Sequence, residues 1–75
     1  MSLRILFKPD QIAQWIADRH GNPVRHSDGL RIAFEPTSDE KLSVDELLDE
    51  MKVHHLVMLV EQEAGKTFHK IYAHS

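Results

Sequence analysis

Glycine and proline divide this chain into short segments whose hydrophobic patterns alternate between helix and hairpin. A helical pattern ends at Gly21, and Asp28-Gly29 separates two runs of strand-forming residues. A second helical pattern begins at Ser43, and Gly65 separates the last two strand-like runs. Such punctuation is typical of short elements joined by tight turns. The order of the segments predicts a helix, a hairpin, a second helix and a second hairpin.

The first helix is predicted over Asp10–His20. Pro9 suits the first helical turn, where its missing N–H leaves no hydrogen bond unmade. The apolar side chains that share one helical face are Ile12, Trp15 and Ile16. Gly21 is expected to adopt the left-handed conformation that ends many helices, and Pro23 prevents the helix from resuming.

The first hairpin is predicted from two β-prone runs, Val24–His26 and Leu30–Phe34. Asp28-Gly29 between them is a strong signal for a tight turn, because such turns need residues with positive φ. Alternation along the second run places Leu30, Ile32 and Phe34 on one face. We expect that face to be buried and the opposite face to be partly wet.

The second helix has the best-defined start in the sequence. Ser43-Val44-Asp45-Glu46 has the pattern of a capping box, in which Ser43 and Glu46 each bond the other's backbone N–H. The predicted buried stripe of this helix consists of Val44, Leu47, Leu48 and Met51. Leu56–Val60 is apolar on both faces and predicts a central strand. Thr67–Ala73 is predicted to return beside it after a turn near Gly65.

These elements predict a single small α+β domain over residues 1–75. The expected order is αββαββ, with or without an additional N-terminal strand from the alternation of Leu3, Ile5 and Phe7. Two αββ units imply a largely antiparallel four- to five-stranded sheet with two helices on one face.

Composition excludes several kinds of chemistry. The chain of 75 residues contains no cysteine, which excludes disulfides, thiolate metal sites and a cysteine nucleophile. The run before Lys8 is too short for a signal peptide, and no apolar stretch is long enough to span a membrane. We therefore expect a cytoplasmic protein. Because the hydroxyls, carboxylates and isolated glycines match no catalytic or phosphate-binding pattern, we expect no enzymatic activity, no cofactor and no small-molecule substrate.

The charge distribution favours a protein partner over a nucleic acid. The formal net charge is −3, and acids predominate between Glu35 and Glu50. Nucleic-acid-binding domains usually carry a clustered basic face instead. The alternative is a nucleic-acid contact through the first hairpin, by way of Arg25, His26 and Arg31.

Histidine is the unusual component of this composition. The six histidines are His20, His26, His54, His55, His69 and His74. Histidine is the commonest metal ligand, but a structural zinc site needs four ligands in a tetrahedron, and no spacing here provides them. We expect no metal site and keep a histidine-based metal-binding protein as a further alternative.

The chain contains several recognisable short motifs: Asp10-Gln11-Ile12, Trp15, Arg19, Gly21-Asn22-Pro23-Val24, Leu30-Arg31-Ile32-Ala33-Phe34, Ser43-Val44-Asp45-Glu46 and Phe68-His69-Lys70-Ile71. Together they resemble a family of small bacterial proteins of uncharacterised function, some of which are labelled alpha-glucan branching enzyme. The resemblance runs from about Asp10 to Tyr72 and implies a bacterial protein. It departs in the second helix, where the family tends to carry aromatic residues and this chain has Val44, Leu47 and Leu48. It implies no catalytic residues, and a branching enzyme would need a (β/α)₈ barrel of about 250 residues.

The hypothesis that these observations favour is a non-enzymatic module that works through protein contact. Its small size and the sheet edges of such a fold favour a protein partner or a second copy of the chain, because unpaired edges are ready pairing sites.

Overall fold

Two helices and six strands follow one another along the chain. The structure, a computed structural model, describes residues 2–27 and 29–73. The elements are β1 (Leu3–Leu6), α1 (Pro9–Asp18), β2 (Asn22–His26), β3 (Gly29–Ala33), β4 (Glu40–Lys41), α2 (Val44–Val53), β5 (Leu56–Glu61) and β6 (His69–Ala73).

The strands form two antiparallel sheets of three strands each, in the orders β1-β5-β6 and β3-β2-β4. The predicted α+β class and antiparallel pairing are confirmed, and β5 is the central strand of its sheet. The additional N-terminal strand is present as β1. The arrangement differs from one sheet of four or five strands in two ways: the additional strand β4 forms between the first hairpin and α2, and the strands are shared between two sheets.

The two sheets meet where β3 approaches β6. The backbone N–H of Ile32 donates a hydrogen bond to Nε2 of His69 at 3.0 Å. Nδ1 of His69 lies 3.0 Å from the carbonyl oxygen of Thr67, which can only accept. In this geometry Nε2 accepts a hydrogen bond and Nδ1 donates one. This imidazole takes the place that a backbone carbonyl would occupy in a continuous ladder.

The helix α1 ends at Asp18 rather than at the predicted His20, and the left-handed residue is His20 rather than the predicted Gly21. His20, with φ of 55°, takes the left-handed conformation, whereas the φ of Gly21 is not positive. The N–H of Gly21 bonds to the carbonyl of Ile16, and that of His20 bonds to the carbonyl of Ala17. This is the Schellman arrangement, in which the left-handed residue precedes the last donor. Gly21 is needed for a different reason: a Cβ there would lie 2.5 Å from Cγ2 of Ile32.

The start of α2 confirms the predicted capping box. The N–H of Glu46 donates to Oγ of Ser43 at 3.1 Å, and the N–H of Ser43 donates to Oε1 of Glu46 at 2.9 Å. The helix ends at a second left-handed histidine, His55, with φ of 53°.

The first hairpin is present, but its turn lies one residue earlier than predicted. His26 pairs with Gly29, so Gly29 belongs to β3 and not to the turn. Ser27 supplies a positive φ of 52°. Asp28, half of the predicted turn, lies outside the described residues, as does His74. The second turn contains Gly65, as predicted, and Gly65 has a φ of 82°.

One hydrophobic core joins both helices to the two sheets. Its buried members are Leu6, Ile12, Trp15, Ile16, Ile32, Leu47, Met51, Met58 and Val60. Met58 and Val60 share one face of β5, because alternate side chains of a strand point the same way. Both helices therefore cover the same face of the first sheet. Of the predicted stripe on α2, Leu47 and Met51 are buried, whereas Val44 and Leu48 are half-buried.

Candidate interaction surface

The strand β1 has an unpaired edge in the described part of the chain. Arg4 lies opposite Val60 and Leu6 opposite Met58 in its pairing with β5. The N–H of Gln62, directly after β5, donates to the carbonyl of Ser2 at 2.8 Å. The backbone groups of Ser2 therefore point toward β5. Backbone groups of successive residues in an antiparallel strand point to alternate sides. Those of Leu3 and Ile5 therefore point away from β5.

Apolar side chains lie along this edge. The exposed fractions of Leu3, Ile5 and Phe7 are 45%, 47% and 65%, whereas Leu6 between them is 4% exposed. Leu3 and Ile5 lie on the face of β1 opposite to Leu6 and away from the core. We call Leu3, Ile5 and Phe7 the apolar edge. It combines unused backbone hydrogen-bonding groups with exposed hydrocarbon, the two features that favour strand addition.

The start of β1 is held in position by Glu61. The carboxylate of Glu61 accepts a hydrogen bond from the N–H of Ser2 at 2.7 Å, and the residue is 6% exposed. The carbonyl of Glu61 accepts from Nε1 of Trp15 at 2.9 Å and from Nη2 of Arg19 at 3.1 Å. These bonds tie the end of β5 to α1. The start of β1 is thereby fixed relative to β5 and α1.

Arg19 fixes the loop that follows β5. Its guanidinium donates to the carbonyls of Gln62 (3.3 Å), Glu63 (3.0 Å) and Lys66, and it lies 4.4 Å from the centre of the Trp15 ring. A planar guanidinium with five N–H donors suits such a group of carbonyls. The role of Arg19 depends on a loop more than 40 residues away, so the local helical pattern did not predict it.

The three residues considered for nucleic-acid contact lie together on the first hairpin, and each is paired with an acid. Arg25 contacts Glu40 (3.2 Å) and Glu50 (2.9 Å). His26 and Arg31 both contact Asp39, each at 2.9 Å. These carboxylates reduce the positive charge that the hairpin presents. The partners are carried by the acidic region that the composition identified, but the individual pairings follow only from the fold.

Asp39 and Glu50 are held ionised by these contacts. The hydrogen bond from His26, followed by that from Arg31, lowers the pKa of Asp39 from 3.8 to about 2. The hydrogen bond from Arg25 lowers the pKa of Glu50, and Glu50 in turn raises the pKa of Arg25. A carboxyl group with a lowered pKa is a poor general acid near neutral pH. Both residues act here as ion-pair partners.

The histidines that the structure describes are dispersed over the fold. His20 and His55 end the two helices with positive φ. His26 contacts Asp39, His54 contacts Glu50 at 3.2 Å, and His69 joins the two sheets. Within residues 2–27 and 29–73, no three His, Asp or Glu side chains converge as metal ligands would.

A groove separates α1 from α2. Its volume is about 620 Å³, and its apolar lining consists of Phe7, Pro9, Ile12, Leu48, Met51 and Leu56. Asp45, Asp49 and Lys52 of α2 form its charged border. Phe7 is common to the groove and to the apolar edge. The sequence identified the apolar and acidic residues of α2, but not the space between the helices.

Comparison with family models, with curated proteins and with solved structures finds no match to this chain. The resemblance based on short motifs therefore stays a prediction. In the described part of the chain, neither helix has the length and apolar character needed to cross a bilayer.

Proposed function

We propose that this protein works through protein contact without enzymatic activity, and that a second copy of the chain binds at the apolar edge. The observation that carries the proposal is the unpaired side of β1. The backbone groups of Leu3 and Ile5 have no strand partner among the described residues, and their side chains are about half exposed. Edge strands with these properties pair readily with other strands.

The pattern of β1 is compatible with antiparallel pairing to itself about a twofold axis. If Ile5 lies opposite Ile5 of the partner subunit, Leu3 lies opposite Phe7 of the partner subunit. Such cross-strand apolar pairs are stabilising. A twofold centred on Arg4 would instead place two like charges opposite each other, which is destabilising. The proposal therefore selects the register centred on Ile5.

This pairing joins two three-stranded sheets into a continuous sheet across the axis. It covers hydrocarbon on both copies and gives partners to backbone groups that otherwise bond only to water. Symmetric twofold dimers of this kind are the commonest soluble homo-oligomers. The absence of cysteine supports a cytoplasmic location, and the motif resemblance supports a bacterial source.

The proposal is tested with Ile5→Pro. The N–H of Ile5 points away from β5, so proline removes a donor from the outer edge while the ladder to β5 remains. Ile5→Val is the matched control, because it retains both the N–H and a β-branched side chain. Sedimentation equilibrium over a range of protein concentrations measures the mass of each form.

We expect a doubled mass for the wild type and Ile5→Val, and a single mass for Ile5→Pro with an unchanged circular dichroism spectrum. A wild-type protein that remains monomeric throughout would overturn the proposal. A folded Ile5→Pro variant that dimerises as tightly as the wild type would do so too. If Ile5→Pro does not fold, Ile5→Lys places a charge on the same edge and must also weaken the dimer.

A further inference from the structure

The groove between α1 and α2 leaves apolar side chains partly exposed. Leu48 on its lining is half-buried, and Phe7 at its border is 65% exposed. Its volume of about 620 Å³ lies within the range of ligand-binding clefts. The groove is bordered by a regular helix, so charges along that helix face its opening at regular intervals.

The carboxylates of α2 divide into two groups by what they contact. Glu46 accepts a hydrogen bond from the N–H of Ser43, and Glu50 pairs with Arg25. Asp45 and Asp49 border the groove, and no cation in the described residues lies within ion-pair distance of either. The first group is used within the fold. The second group is exposed beside an apolar groove.

Asp45, Asp49 and Lys52 form a charge pattern along the groove. Asp45 and Asp49 are one turn apart, at i and i+4, and Lys52 lies near the end of the same helix. Lys52 is also in the last turn, where a cation interacts favourably with the helix dipole. From Asp45 to Lys52 the helix rises about 10 Å, at roughly 1.5 Å per residue. A short helical segment would cover this length.

We infer that the groove binds an amphipathic helical segment of a partner protein that carries two basic residues. The apolar face of the segment packs on Phe7, Leu48 and Leu56, as in other helix-in-groove complexes. Its two cations, also spaced by one turn, face Asp45 and Asp49. An acidic residue further along faces Lys52. The apolar lining contributes affinity, and the charges determine the orientation of the segment.

The test uses two synthetic amphipathic peptides with identical leucine positions, one with lysine and one with glutamate on the polar face. Each is titrated into isotope-labelled protein while amide chemical shifts are recorded. We expect saturable shifts at Leu48 and Leu56 with the lysine peptide, and none with the glutamate peptide. Carrying out the titration in Ile5→Pro as well separates this inference from the proposed dimer.

Two double variants with the same change in net charge determine whether the border charges matter. Asp45→Asn with Asp49→Asn removes the groove carboxylates, whereas Glu35→Gln with Glu63→Gln removes two exposed carboxylates that do not line it. Exposed ion pairs contribute about 0.2–1 kcal/mol each. Loss of both therefore weakens binding of the lysine peptide by about 2- to 30-fold. The control pair is expected to have a smaller effect.

Equal weakening by both double variants would show non-specific attraction and overturn the inference. Binding of the glutamate peptide with equal affinity would overturn it as well. Shifts confined to Leu3 and Ile5, with none at the groove, would assign the contact to the apolar edge and reject the groove as the site.

Discussion

Replacing Gly21 with alanine tests the reason for this glycine directly. A Cβ at residue 21 would lie 2.5 Å from Cγ2 of Ile32, 3.0 Å from Cε1 of Phe34 and 3.5 Å from Cγ2 of Ile16. Ile32 is 2% exposed, and its Cγ2 branches from Cβ, so it cannot move aside as the end of a flexible side chain would. We expect Gly21→Ala to force the segment between α1 and β2 away from β3.

The expected cost follows from comparison with other overpacked cores. Extra carbon atoms in a well-packed interior destabilise by about 1–3 kcal/mol. For a domain of this size each kcal/mol lowers the melting temperature by about 4–8 °C. Without the close contact, Gly→Ala at a residue whose φ is not positive would stabilise by about 0.4–1 kcal/mol, because the unfolded chain loses freedom. A close contact with Ile32 therefore predicts that Gly21→Ala lowers the free energy of unfolding, whereas the absence of this contact predicts that it raises it.

Urea denaturation of Gly21→Ala, Ile32→Ala and the double variant measures the coupling between the two positions. Ile32→Ala removes Cγ2, so the double variant is expected to be less destabilised than the sum of the single variants. Strict additivity of the two free-energy changes would refute the steric account of Gly21. A Gly21→Ala variant more stable than the wild type would refute it too.

Three further changes test other parts of the fold. His20→Gly is expected to raise the free energy of unfolding by about 0.5–1 kcal/mol in urea titrations, because His20 and not Gly21 has the left-handed conformation; destabilisation would contradict this assignment. Trp15→Phe removes the N–H that bonds the carbonyl of Glu61 and is expected to lower stability by about 1–2 kcal/mol, measured by circular dichroism; a neutral result would mean that this bond contributes nothing. The lowered pKa of Asp39 means that its ionised carboxylate stabilises the fold fully above about pH 4 and loses this effect as the pH falls toward about 2. Asp39→Asn is therefore expected to reduce the loss of stability between these pH values in urea titrations, and a slope equal to that of the wild type would disprove the linkage.

Local sequence signals predicted the elements whose causes are local. The capping box at Ser43 needs only Ser43 and Glu46, and both of its hydrogen bonds are present. The sequence correctly predicted that the first helix ends before Gly21. It wrongly predicted the left-handed conformation for Gly21, because His20 has that conformation. A glycine near a helix end is compatible with either left-handed geometry or close packing, and only the position of Ile32 distinguishes them.

The arrangement of the sheets depends on contacts between distant residues. The link between Ile32 and His69 spans 37 residues and uses a side chain in place of a backbone carbonyl. Nothing in the local pattern of either strand indicates this substitution. The alternation of apolar and polar residues predicted several strands. It did not predict how these strands are divided between two sheets, because that division depends on contacts between distant residues.

The candidate surface was predictable only in part. Alternation of Leu3 and Ile5 predicted a strand, and the expected fold predicted exposed sheet edges. Which strand lies at an edge depends on the pairing of Leu3 with Glu61, which are separated by most of the chain. The groove likewise depends on how the two helices lie relative to each other, a property that no single segment contains.

Amide hydrogen exchange at Ile5, measured over a range of protein concentrations, tests the proposed edge pairing most directly. The backbone groups of Arg4 and Leu6 face β5, so their amides are expected to be protected at every concentration. The amide of Ile5 is expected to exchange rapidly in dilute protein and to become protected in step with the doubled mass. Rapid exchange at Ile5 in a sample that is fully dimeric, or in one that never dimerises, would contradict the proposal.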